Sequence, residues 1–136
     1  MCKIFVYGTL KPDESAYDKY CAPYVTQTEA AFMQGQLFHL PQGYPAMTAG
    51  DRWVTGALLT FHDESAITHI DQFEDYDPYR PAENNLYQRL LCPVFSHTQE
   101  PLGTAWAYLM SPHKVQAFGG IPVATGLWSR KRFPSI

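Results

Sequence analysis

Near its start the chain has a run with no polar break: Ile4, Phe5, Val6 and Tyr7 follow one another directly. β-branched and aromatic residues in such a run predict a strand buried on both faces. Gly8 ends it, able to take backbone angles closed to other residues or to admit a ligand against the main chain, and Pro12 keeps the next residues out of a continuing strand. Asp13 to Tyr20 is polar enough at its start for a short helix, with Asp13 as N-cap. Phe32 to Leu40 reads as a half-buried strand, with Gln34 and Gln36 on one face and Gly35 marking a bulge. Pro41 to Ala46 forms a stiff, irregular segment that can wall a pocket. Trp53 to Phe61 is a further strand interrupted by Gly56. The period then changes: Ala66, Ile67, Ile70 and Phe73 lie on one side of a helix spanning His62 to Phe73, capped by Asp63 or Ser65, with Pro78 beyond its end. Tyr87 to Phe95 and Thr104 to Met110 predict two more strands, and the chain from Ser111 onward reads as coil.

This order lacks the regular alternation of a doubly wound sheet and predicts an α+β fold. If Gly35, Gly56 and Gly103 mark bulges or bends, the sheet is curved into a small mixed barrel flanked by short helices. The 136 residues are 46% hydrophobic and 17% charged, enough apolar material for one domain over residues 1–136 with its own core. A net charge of −3 gives no electrostatic case for nucleic acid or an anionic membrane. The one basic cluster, Arg130-Lys131-Arg132, reads as a solvated terminus. Cys2, Cys21 and Cys92 are odd in number and lack C-x-x-C spacing, which fits a reducing compartment. No stretch has the length of a membrane span or the pattern of a leader, so a cytoplasmic protein is expected, as a monomer or weak homodimer.

Chemistry is suggested first by the strand-end turn. Its backbone N–H groups either serve an ordinary turn or converge to hold a carboxylate or oxyanion, with Gly8, Thr9 and Leu10 as donors. At the predicted helix end, Asp71, Glu74 and Asp75 stand at i, i+3 and i+4 and face roughly one way. Mutual repulsion and the negative end of the helix dipole both oppose ionisation. Such a cluster is either a solvated acidic helix end or the setting for a carboxyl tuned to act as a general base. Tyr87 and Arg89, two apart in a strand, share a face and either stabilise the sheet or order a substrate, with Glu74 as a partner for Arg89. Tyr44 belongs either to a packed loop or to a pocket wall. The five histidines lack metal-ligand spacing, no serine or cysteine has a base near it in sequence, and no glycine motif for a nucleotide is present, so neither metal nor cofactor is expected.

Four segments taken together carry a resemblance. Tyr7-Gly8-Thr9-Leu10-Lys11, Gly43-Tyr44-Pro45-Ala46, Ile70-Asp71-Gln72-Phe73-Glu74 and Tyr87-Gln88-Arg89 resemble, in order and spacing, the γ-glutamylcyclotransferase-like family with its AIG2-like and γ-glutamylamine cyclotransferase members. Thr125-Gly126-Leu127-Trp128 is similar to the family's glycine–tryptophan ending. The resemblance implies a small barrel with a cavity between the Tyr7–Leu10 turn and the acidic helix end. It implies Glu74 as catalytic acid/base, Tyr7, Gly8, Thr9 and Leu10 as the substrate loop, and a small γ-glutamyl compound cyclised to 5-oxoproline without a cofactor. A non-catalytic module binding a small carboxylate is the alternative on the same fold. Two departures bear on the site. Asp13 stands where the family often has Gly. Asp75 stands where it usually has Gly, which leaves the backbone after Glu74 open and puts a further charge beside it, either raising its pKa or marking a member whose substrate differs or whose activity has lapsed.

Overall fold

A computed structural model describes residues 2–132. The opening apolar run is strand β1, Cys2–Val6, paired antiparallel with β3, Pro45–Phe61, and parallel with β5, Pro101–Leu109. Ile4 and Val6 pack on one side of β1, and Phe5 and Tyr7 on the other. With both faces covered, the run needs no polar alternation.

Strand β2, Val25–His39, forms a long antiparallel hairpin with β3, while β4, Gln88–Phe95, pairs along β5 and touches β2 at Phe95. The neighbours therefore run β3-β1-β5-β4-β2 and back to β3, a closed ring. A two-residue strand, β6, Ile121–Pro122, adds to β2. All five ring strands contribute to one core, among them Phe5, Met33, Leu58, Val94 and Ala107, and Trp128 from the C-terminal segment completes it. The second core lies under the helices, where Ile70 of α2, Ser65–Phe73, packs with Ile4, Leu59 and Phe61. The α+β barrel expected from sequence is the fold observed.

The bulges fall partly where the glycines predicted. The β2–β3 register shifts between Gly35 and Gln36, and the β4–β5 register between Pro93 and Phe95, opposite Gly103 at φ +100°. Gly56 does not interrupt β3. A Cβ there would lie 2.2 Å from the Val6 carbonyl oxygen, so glycine lets β1 approach.

Four local expectations are corrected. The first helix is only α1, Tyr17–Tyr20, which starts from Ala16 without a side-chain cap, so Asp13 is not its N-cap. The predicted strands at Phe32 and Trp53 are parts of longer strands, because the hairpin ladder carries polar residues outward. The stiff segment after Leu40 is the hairpin turn itself, with the Gly43 N–H donating to the Leu40 carbonyl (2.9 Å) and Pro45 already in β3. The segment from Ser111 contains a further helix, α3, Pro112–Ala117, started by Ser111, whose hydroxyl accepts from the Lys114 N–H at 3.2 Å. Among the described residues no helix is long and apolar enough to cross a membrane.

Candidate active site

The strand-end turn, the hairpin turn and the end of α2 meet around a cavity of about 310 Å³. Tyr7, Gly8, Thr9, Leu10, Tyr44, Glu74 and Tyr87 all line it. Seven of the eight residues singled out from sequence are thus brought together, although they come from elements far apart in the chain.

Residues 8–11 form a tight turn, the Lys11 N–H donating to the Gly8 carbonyl at 3.0 Å, and the Thr9 carbonyl accepts from Ala16 at 3.0 Å. Both bonds consume carbonyls. Gly8 is required here by contact, not by an unusual φ: a Cβ would stand 2.5 Å from Cγ of Pro45, which closes over the turn. Lys11 is buried and anchors the turn from behind, its Nζ donating to the Trp128 carbonyl at 2.5 Å.

Glu74 is the C-cap of α2. The Asp75 N–H donates to Gln72 and the Tyr76 N–H to Asp71, the pair of bonds that ends a helix through a left-handed residue. That residue is Asp75, at φ +53°. Glycine fills such positions most easily, and Asp is among the few others that accept them. The departure at Asp75 therefore keeps a glycine-like backbone after Glu74. It also turns Asp75 outward, where its carboxylate meets Arg80 at 3.1 Å.

The expectation that Asp71, Glu74 and Asp75 act as one acidic face is corrected accordingly. Burial raises the Glu74 carboxyl to about 8, with the Asp71 charge as the second cause, and Asp75 takes no part. Asp71 itself accepts from the Tyr108 hydroxyl at 2.5 Å and from Arg89 Nη1 at 2.9 Å. Burial still raises its pKa against those two bonds.

Arg89 is the residue that the structure removes from the set expected to contact substrate. Its guanidinium is committed to Asp71, not Glu74, and lies over the rings of Trp106 and Tyr76, at 4.8 and 5.4 Å, outside the cavity lining. Tyr87 falls just before β4 instead of within it, and of Tyr87 and Arg89 only Tyr87 reaches the cavity, its hydroxyl donating to the Pro45 carbonyl at 2.6 Å. Tyr7 donates to the Tyr108 carbonyl at 2.5 Å and accepts from the Met47 N–H at 3.2 Å. Burial raises the pKa of Tyr7, Tyr44 and Tyr87, and the nearby Glu74 charge adds to it, so these phenols remain neutral walls around the carboxyl.

Sequence reasoning missed Tyr108, Phe73 and Arg130 in the lining. Arg130 does not sit on a solvated tail: its N–H donates to Glu14 Oε1 at 3.3 Å and its guanidinium lies 5.5 Å from the centre of the Trp128 ring. Trp128 is fully buried, its indole N–H donating to His39 Nδ1 at 3.0 Å. The tryptophan was the available signal, since a large aromatic beside a basic cluster ties that cluster to the core.

The family model described as "Gamma-glutamyl cyclotransferase, AIG2-like" matches residues 4–130. A search of curated proteins by sequence finds no match. Among solved structures, YkqA from Bacillus subtilis superposes with a TM-score of 0.66 at 22% identity, over 93% of this chain and 39% of YkqA, so the chain spans well under half of that protein. YtfP from Escherichia coli superposes at 0.61 with 23% identity, over 96% of this chain and 98% of YtfP. An AIG2-like protein from Mus musculus superposes at 0.56 with 22% identity, over 85% of this chain and 82% of the mouse protein. At these identities the superpositions establish the fold.

Proposed function

Because the chain belongs to the AIG2-like γ-glutamyl cyclotransferase family, we propose that it cyclises a γ-glutamyl amine or amino acid to 5-oxoproline and releases the amine, with Glu74 as acid and base. The observation that carries this reading is the raised carboxyl of Glu74 lining one cavity with the Gly8–Leu10 turn. A γ-glutamyl compound contains its own nucleophile, so no serine, cysteine or metal is needed to attack the amide. Glu74 takes a proton from the α-ammonium group. The freed nitrogen attacks the γ-carbonyl carbon, a ring C–N bond forms, the bond to the leaving nitrogen breaks as protonated Glu74 returns the proton to it, and the ring nitrogen's extra proton passes to the released amine, which departs as an ammonium ion beside neutral 5-oxoproline.

The raised pKa decides whether this transfer is feasible in energy. An α-ammonium near 8 gives its proton to an ordinary Glu near 4.3 only at a cost of about 5 kcal/mol, at about 1.4 kcal/mol per pKa unit. With Glu74 at about 8, the transfer is close to balanced. Glu74 is therefore mostly protonated at pH 7 before substrate binds, and an approaching ammonium group favours its ionised form. The N–H groups of Gly8, Thr9 and Leu10 are assigned to the substrate carboxylate or to the developing oxyanion, where fixed donors in a water-poor cavity act most strongly. Tyr7, Tyr44 and Tyr87 complete the walls.

Mass-spectrometric detection of 5-oxoproline tests the proposal, using γ-glutamyl amino acids, γ-glutamyl-ε-lysine and glutathione with wild type and Glu74→Gln. Product from wild type, reduced at least 100-fold in the variant, is expected, because an amide cannot carry the proton. Ligand-induced stabilisation with no product from folded wild type would instead make the chain a binding module.

A further inference from the structure

Three of the four tyrosines that line the cavity have already given away their phenol proton. Tyr7 donates to the Tyr108 carbonyl, Tyr87 to the Pro45 carbonyl and Tyr108 to the Asp71 carboxylate, at 2.5, 2.6 and 2.5 Å. The partners fix these directions. A carbonyl oxygen can only accept, and Asp71, paired with Arg89 at 2.9 Å, is held as a carboxylate that does the same. A phenol has one proton to give, so toward a ligand all three can only accept.

They are not equal in what they have left. Tyr7 also accepts from the Met47 N–H at 3.2 Å, which uses its hydroxyl in both senses within the protein. No donor among the described residues reaches the hydroxyls of Tyr87 and Tyr108, so both keep accepting capacity for what enters the cavity. Both phenols also feel the Glu74 charge, which adds to the effect of burial on each. A carboxylate beside two oxygens that cannot donate repels an anion. The set suits a group with several N–H bonds and a positive charge, which an aromatic lining also favours.

Resting on the cyclotransferase reading, we propose that Tyr87 and Tyr108 are specificity residues for the free α-amine: their phenol oxygens accept N–H bonds from the substrate's ammonium group and hold it beside Glu74. A primary ammonium has three N–H bonds to place. One goes to Glu74 and the other two go to Tyr87 and Tyr108. The amine is thus selected when the substrate binds as well as used in the reaction. A γ-glutamyl compound whose α-amine is acylated is rejected at binding, because it leaves these acceptors unpaired.

A matched pair of unreactive probes isolates the contact. In L-methionine sulfone a sulfone stands where the γ-carbonyl would, leaving no amide to cyclise, and 4-(methylsulfonyl)butanoate is the same molecule without the α-ammonium group. By calorimetry, wild type should bind the first about 100-fold more tightly, the joint worth of its charge-assisted bonds. Tyr87→Phe should reduce that Kd ratio about 10-fold by weakening the ammonium-bearing probe alone. It is the cleaner variant, because its hydroxyl bonds Pro45 and not Asp71. Tyr108→Phe should act in the same direction, and it decides by the same ratio if thermal melts show Tyr87→Phe unfolded. A ratio within about twofold of wild type in the folded variant overturns the assignment, as does equal weakening of both probes, the mark of a merely structural hydroxyl. A wild-type ratio near one, or binding of neither probe, overturns it too. Release of 5-oxoproline from γ-glutamylalanine is read on the same proteins. A ratio that collapses in the variant while wild type forms no product upholds the ammonium site and sinks the cyclotransferase reading alone. Product with an unchanged ratio sinks the ammonium site alone.

Discussion

Replacing Glu74 by Gln should change how stability depends on pH before any substrate is added. The folded-state carboxyl titrates at about 8, against a reference value of 4.5. Its raised pKa means that the unfolded chain releases this proton first as pH rises, so stability is fullest below 4.5 and is lost progressively until about 8. At about 1.4 kcal/mol per pH unit, and allowing for partial ionisation at the upper end, wild type loses about 2 kcal/mol from this one group between pH 6 and pH 8. For a chain of this size that is roughly 6–8 °C in Tm. His39 works in the opposite sense, since burial lowers its pKa and the folded state gains as the unfolded imidazole loses its proton. Comparing wild type with Glu74→Gln removes that background. Scanning calorimetry from pH 5 to 9 should show the variant's Tm advantage widening by roughly 6–8 °C between pH 6 and pH 8. A gap that stays constant across that range would mean that Glu74 titrates normally, and the reasoning from burial would be refuted.

Gly8→Ala places a Cβ 2.5 Å from Cγ of Pro45 and must push the turn from the hairpin, so 5-oxoproline formation should fall at least 100-fold while Tm drops by an amount equivalent to about 1–3 kcal/mol. Asp75→Gly should leave Tm within about 1 kcal/mol equivalent of wild type, as the exposed Arg80 pair contributes little; Asp75→Val, β-branched at φ +53°, should cost about 1–2 kcal/mol more by thermal melts. Asp71→Asn removes the charge that adds to the effect of burial on Glu74, so the acid limb of kcat/KM should move to lower pH, and weakening the bond to the partly buried Arg89 should cost about 1–3 kcal/mol in urea unfolding.

The barrel was legible where local pattern and tertiary environment agree. The unbroken Ile4–Tyr7 run, the helical spacing of Ala66, Ile70 and Phe73, and the bulges at Gly35 and Gly103 all follow from burial or backbone requirements that act on single residues. The short helix α3 was missed although Ser111-Pro112 is a cap followed by a proline at the first helical position, a local pattern easily read as a turn. Glu74 was legible because its residue type, helix end and family motif coincide. Arg89 was misplaced because strand alternation tells which face a side chain takes but not which acid meets it there, and Asp71 lies 18 positions away on another element. Arg130 was misread for the converse reason: a basic tripeptide near a chain end is usually solvated, whereas here the buried Trp128 and the bond to Glu14 hold Arg130 beside the cavity.

The most direct test of the site is a titration of the Glu74 carboxyl itself, followed by carbon-13 NMR of side-chain-labelled protein with Glu74→Gln used to assign the resonance. A midpoint near pH 8 would establish a proton carrier poised for an α-ammonium group. A midpoint near 4.5 would leave Glu74 an ordinary carboxylate and contradict the proposed chemistry.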